Sequence, residues 1–422
     1  MIIMKLDIKM NPFSFDFIVE NVTKYLSRND GFNLISTSKS AYDNLFSLVI
    51  NHDFIMCDKI DLKQIRNIEL IHDRFWMETR NNVNTTIKLL NEKYPFVKNL
   101  CIKHKNTNKL FLKIRMKKIK FYGINGIIRL PDGIEEVEFY GKCENKITMP
   151  QSVKKIYLSR ESKCKFNIPK NIVKLVLKNN SNNKEFDFSN TSIKILKLDH
   201  SYNYDLKLPH TIEELECGDD FNKSLDLRHT NIKILRLGFS FNSELFLPNT
   251  IKELVFGDNF DSSSLDLRHT EIKILKLGNY FQGKLFLPNT IKELVFGVWF
   301  DRSLDLRHTE IRILELGREF NSELFLPSTT RKLFLGSKFN KKINLPEGLE
   351  TLQIGECFNQ KFEMPPFLKK LLIFNENYTE NVILPDTIQE LIYPIDCKAK
   401  IKFPDKFFNC KSRHRNKICY SF

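Results

Sequence analysis

The sequence predicts an α+β chain: a small N-terminal helical module followed by a long parallel-β solenoid of 19–20-residue leucine-rich-like repeats. Three observations carry that expectation. The thirteen residues LFLPNTIKELVFG at 245–257 recur unchanged at 285–297, and verbatim local duplication multiplies a structural unit rather than a catalytic group. A Leu-x-Leu-Pro marker returns at even spacing through most of the chain. Ile18, Val22 and Leu26 near the N-terminus follow the i, i+4, i+8 spacing of one helix face instead.

The N-terminal module comes first. Residues 15–50 contain a helical run broken at Asp30-Gly31, then two shorter apolar segments, Phe32 to Ser38 and Ala41 to Ile50, that read as packed helices. Residues 51–110 form a junction, partly helical, because the segment 84–95 opens on Asn and Thr and stops at Pro95. LFLKI near Lys113 and YPFVKNLCI near Pro95 keep part of the later repeat pattern, as two decayed units would.

The array occupies 111–410. The marker position falls at Pro131, Pro150, Pro169, Ser189, Pro209, Arg228, Pro248, Arg268, Pro288, Arg307, Pro327, Pro346, Pro365, Pro385 and Pro404, fifteen units with every step 19 or 20 residues. Alternation at Leu245/Leu247 and at Leu254/Phe256 has the period of a half-buried strand, so each unit supplies two short strands. Pro248 and Gly257 punctuate them, Gly257 through its backbone freedom at the corner. Ile251, Leu254 and Phe256 should point inward, and stacked coils should share a core that no single coil can bury.

The variant SLDLRHT at Arg228, Arg268 and Arg307 gives the centre a double period of about 40 residues. Asp266 with His269 suggests an acid–base dyad, but the pair recurs as Asp226/His229 and Asp305/His308. Chemistry needs one copy, so corner hydrogen bonds account for them better. Nucleophile signatures and phosphate-binding glycine loops are also missing, since YGINGI at 122–127 has too few glycines. The expectation is a non-enzymatic protein with neither cofactor nor metal.

These units resemble the FNIP-repeat family, which is related to leucine-rich repeats: KFNIPKNIVKLVL at 165–177 contains Phe166, Asn167, Ile168 and Pro169 outright, and residues 342–365 keep the Leu-Pro, Leu-x-x-Leu, Gly and Phe-Asn-Gln placements. Proteins of this type occur in social amoebae and in giant, mimivirus-like DNA viruses of amoebae, and the Lys/Asn/Ile bias is similar to theirs. That implies virus–host interaction and, for a viral chain, a location in the host cytoplasm. Residues 10–50 resemble an F-box through Tyr25-Leu26-Ser27, Asp30, Asn33-Leu34, Thr37-Ser38-Lys39 and Tyr42, although Asn11-Pro12 stands further from the first helix than the family's Leu-Pro. The resemblance implies docking on a Skp-type adaptor of a cullin ubiquitin ligase through Ile18, Val22, Leu26, Leu34 and Tyr42, with the repeats selecting a protein substrate. The alternative for this segment is a helical cap on the first coil.

Charge supplies the competing function. Of the net +15, the segment 101–200 holds 22 Lys and Arg against 9 Asp and Glu, opening with Lys113, Arg115, Lys117, Lys118 and Lys120. Such a patch suits nucleic acid or an anionic surface, or it merely solvates one face. A plain protein-interaction scaffold is the third reading. Nine Cys without metal-binding spacing indicate reduced thiols and a cytoplasmic location, and the Lys-interrupted N-terminus reads as neither leader nor anchor. Residues 411–422 form a basic tail. Cys419 stands fourth from the end, as in prenylated termini, but Tyr420 and Ser421 suit that motif poorly and an unmodified tail is expected.

Carrying the outward position of each inner strand through the array locates the partner surface. Charged residues run from Lys197 to Arg236, whereas apolar ones gather from Val295 onward. The residues expected to bind a partner are Val255, Val295, Phe334, Leu372 and Ile392, together with Trp299 on the turn after the second verbatim copy.

Overall fold

The computed structural model of the chain describes residues 99–103, 109–111, 117–122, 126–143, 145–162, 164–178, 185–405, 410–414 and 417–420. They contain strands and turns and no helix, so the α+β expectation is corrected: the described architecture is an all-β parallel solenoid. The physical reason lies in the unit length. Two short strands, a Pro-Thr turn and a Gly-Phe turn consume all 19–20 residues, leaving no run in which apolar residues recur at helical spacing. The helices expected within 15–50 and 84–95 fall outside the described residues.

The chain divides into two compact units, Met1–Asn182 and Asn183–Phe422. In the first, the inner strands Asn99–Lys103, Lys118–Tyr122, Glu136–Tyr140, Lys155–Leu158 and Lys174–Leu177 pair in parallel. Outer strands Lys109–Phe111, Gly126–Arg129, Asn145–Thr148 and Lys165–Phe166 run beside them as a second parallel ladder. Among the described residues the first strand is Asn99–Lys103, where the sequence keeps only a partial repeat.

In the second unit, parallel inner strands succeed one another from Ile195–Lys197 to Glu390–Pro394 and then Cys410–His414, which folds back on Lys417–Tyr420 as an antiparallel hairpin. The register follows the repeat: Leu235 opposes Leu254, which opposes Leu275, which opposes Leu294. Ile251, Leu254 and Phe256 are buried, as the alternation requires. The outer strands pair only two at a time, Leu225–Asp226 with Leu245–Phe246, Ser264–Asp266 with Lys284–Phe286, and Leu304–Asp305 with Leu324–Phe325. Each of these three ribbons joins one Arg-marked unit to the Pro-marked unit after it, which is the structural form of the double period, whereas a fourth, Val382–Ile383 with Ile401–Lys402, joins two Pro-marked units.

Three columns hold consecutive coils together. Phe221, Phe241, Phe260, Phe281, Phe300, Phe320, Phe339, Phe358 and Tyr378 form a buried file with neighbouring ring centroids 5.8–6.3 Å apart. Beside it, the Asn or Asp after Phe221, Phe241, Phe300, Phe320, Phe339 and Phe358 accepts a backbone N–H from the next coil, as Asn222 does from Asn242 and Asn340 from Asn359. Thr250, Thr290 and Thr329 each donate to an Ile carbonyl of the preceding coil. The Gly column has a different role from the one its corner position suggests. A Cβ on Gly257 or Gly278 would lie 2.0 or 1.8 Å from the preceding glycine's carbonyl oxygen, and neither glycine has a positive φ. Close backbone approach, not left-handed geometry, demands glycine there.

Candidate interaction surface

The inner strands present alternate residues outward, and in the second unit these align in two columns. One runs Ile195, Glu214, Ile234, Glu253, Ile274, Glu293 and Ile313; the other runs Lys197, Glu216, Arg236, Val255, Lys276, Val295, Glu315, Phe334, Gln353, Leu372 and Ile392. Neighbouring strands stand about 4.8 Å apart, so cations reach carboxylates on the adjacent coil. Lys197 Nζ lies 2.9 Å from Glu214 and 2.8 Å from Glu216, Arg236 reaches Glu253 at 2.7 Å, and Lys276 reaches Glu293 at 3.0 Å.

That ladder breaks off after Lys276 and returns only where Lys370 meets Glu390 at 2.8 Å. Glu315 is exposed and has no ion pair among the described residues, and the next outward position holds Phe334 instead of a cation. From there the column turns apolar. Phe334, Leu372 and Ile392 are half-buried on the outward face, joined by Phe374 from the adjoining turn. A shallow cavity of 210 Å³ opens beside Phe334 and Phe374, lined also by Glu315, Arg318, Gln353 and Glu356.

The expected partner residues therefore separate into two places. Val255, Val295, Phe334, Leu372 and Ile392 share one column of the sheet, although Val255 sits between Arg236 and Lys276 in its charged half. Trp299 is not on that face. It belongs to the turn that follows the strand, 46% exposed, with its backbone N–H bonded to Asn279. Phe239 and Tyr280, each 49% exposed, occupy the corresponding turns of other coils and were missed in the sequence. Comparing each residue after the column glycine with Asp258 or Asn259, the test that singled out Trp299, would have found them.

The opposite side carries a repeated polar device. Arg228, Arg268 and Arg307 each form a bidentate pair with the Asp two residues earlier and lie 4.7–4.9 Å from the ring centre of Phe246, Phe286 or Phe325 on the next coil. The Arg hydrogen bonds hold Asp226, Asp266 and Asp305 down to about 2. His229, His269 and His308 place Nε2 3.2–3.3 Å from a carbonyl oxygen of the preceding coil, so Asp and His face different partners and form no dyad.

In the first unit, three of the five basic-patch residues are described, and all are paired: Lys117 with Glu135, Lys118 with Glu136 and Glu138, and Lys120 with Glu138. Lys113 and Arg115 lie outside the described residues, as do Ile18, Val22, Leu26, Leu34 and Tyr42. Among the described residues no three His, Cys, Asp or Glu side chains gather as a metal site, and no helix is long and apolar enough to cross a membrane. Cys143, Cys164 and Cys217 are buried, Cys357 is exposed, and none of these, nor Cys397, is in a disulfide. Burial pushes the Cys217 thiol up.

The chain matches no family profile and no curated protein. Among solved structures it is similar to one described as the crystal structure of CroV588, a novel circular LRR protein structure. The identity is 18%, over 75% of this chain and 73% of that one, with a TM-score of 0.31.

Proposed function

We propose that this chain is a non-enzymatic recognition scaffold whose second unit binds a protein partner along the outward sheet face from Val295 to Ile392. The observation that carries the reading is the change in one column, from paired charges up to Lys276 to half-buried Phe334, Leu372 and Ile392, with a cavity beside Phe334. A sheet face that only needed solvation would continue the ion-pair ladder, whereas an apolar strip with polar neighbours is how protein interfaces are built. The test is the double substitution F334S/L372S. Circular dichroism and melting should stay near wild type, because both side chains point away from the core. Affinity for proteins captured by the wild-type chain and then repurified should fall at least about 100-fold, in line with two buried anchors. Equal affinity would overturn the reading.

The finer function follows from the sequence resemblance of residues 10–50. In this reading the segment engages a Skp-type adaptor and cullin, and the solenoid chooses the substrate for ubiquitin transfer, in the cytoplasm of the cell that holds it. Leu34→Asp places an unpaired charge at the expected contact and should abolish adaptor co-purification without altering the repeats' circular dichroism. Undiminished co-purification would remove the ligase link and leave the scaffold. Nucleic-acid binding through 101–200 is supported less well, since Lys117, Lys118 and Lys120 already have carboxylate partners.

A further inference from the structure

We infer that the cavity beside Phe334 receives an arginine or lysine side chain from an extended, apolar-basic segment of the protein partner. This rests on the docking face proposed above and specifies what it recognises. The argument starts from the ion-pair ladder. Glu214, Glu216, Glu253, Glu293 and Glu390 on the outward face all have a described cation, respectively Lys197, Lys197, Arg236, Lys276 and Lys370. Glu315 and Glu356, one on the strand before Phe334 and one on the turn beyond Gln353, have no ion pair among the described residues, and both line the cavity. Arg318 is the cation of that lining, and its Nε lies 3.8 Å from Glu319, which Lys338 also contacts.

The cavity floor suits a long cationic side chain. Phe334 offers a ring to the aliphatic stem and to the charge, and Gln353 offers an amide oxygen. A volume of 210 Å³ accommodates one such side chain and excludes a folded element. Apolar residues further along the segment would meet Val295 and Leu372, each two coils from Phe334. An anionic segment would face two unpaired carboxylates, so charge complementarity selects against it.

The experiment uses the full chain and two fluorescein-labelled probes, the alternating peptides Leu-Arg-Leu-Arg-Leu and Leu-Gln-Leu-Gln-Leu, read by fluorescence anisotropy. The Arg peptide should bind about tenfold more tightly, and the preference should shrink as salt rises. The exposed pair E315Q/E356Q should erase that preference while leaving the Gln peptide unchanged. F334S/L372S should weaken both peptides. Equal binding of the two peptides, a preference that survives E315Q/E356Q, or binding of neither peptide overturns the inference. Loss of both peptides in F334S/L372S without any charge preference would keep the docking face and reject its cationic ligand. A charge preference insensitive to F334S/L372S would do the reverse.

Discussion

At the scale of single residues, the Asp-x-Arg-His units show how a catalytic appearance arises from structural chemistry. Asp266 accepts hydrogen bonds from Arg268 Nε at 3.0 Å and from its backbone N–H at 3.1 Å, while Arg268 lies over Phe286 on the next coil. The carboxylate is tied to a permanent cation, so it cannot take up a proton near neutrality, and the neighbouring His269 bonds a carbonyl instead. The pH dependence follows with a definite sign. A carboxylate held down to about 2 contributes stability that is fully present above its ordinary value and is lost as pH falls through about 2. Carboxyl carbon resonances should show Asp226, Asp266 and Asp305 still ionised at pH 3. In Arg268→Ala only Asp266 should rise toward the ordinary carboxylate range, still held partly down by the backbone N–H of residue 268, with neutral-pH melting almost unchanged because the pair is exposed. An Asp266 that titrates normally in the wild type would refute the pairing.

Single coils show what each repeated letter does, and where sequence reasoning stops. The strands and their register were legible because Leu-x-Leu and Ile-x-x-Leu recur at fixed spacing, and a slip by one residue would expose every leucine. The outward placement of Phe334 and Leu372 was legible for the same reason. The role of glycine was not, because a corner and a close approach leave the same letter in the sequence. Gly317→Ala tests the distinction. Its Cβ would fall 1.7 Å from the Gly297 carbonyl oxygen, so two coils must separate, and the cost should reach about 4 kcal/mol, read as a fall in denaturation midpoint. Substitution at nearby Ser337, on an outward turn, should change the midpoint little. The cavity was also invisible in the sequence, since Glu315 with Arg318, then Phe334, then Glu356 come from three successive coils and meet only through stacking. The helices read into residues 15–50 lie outside the described residues.

For the second unit as a whole, contacts that repeat every 19–20 residues imply a nearest-neighbour logic. Every column, whether phenylalanine file, asparagine ladder or glycine contact, connects a coil only with the coils before and after it. Stability should then be approximately a sum of coil and interface contributions, and damage should remain local. Phe281 is a suitable probe. It is fully buried, its ring centre lies 5.9 Å from that of Phe260 and 6.0 Å from that of Phe300, and its replacement by Ala leaves a cavity at two interfaces. The loss should be about 3–5 kcal/mol, borne by the coils that contain Phe260, Phe281 and Phe300. Native-state hydrogen exchange reads this directly. In Phe281→Ala the amides of Ile274 and Glu293, bonded to Lys252 and Lys273, should lose protection, while those of Lys370 and Glu390, bonded to Glu350 and Lys369, should keep it. Equal loss at all four amides would mean that the unit unfolds as one cooperative body, because a nearest-neighbour array has no other route by which a cavity at Phe281 reaches a hydrogen bond four coils away.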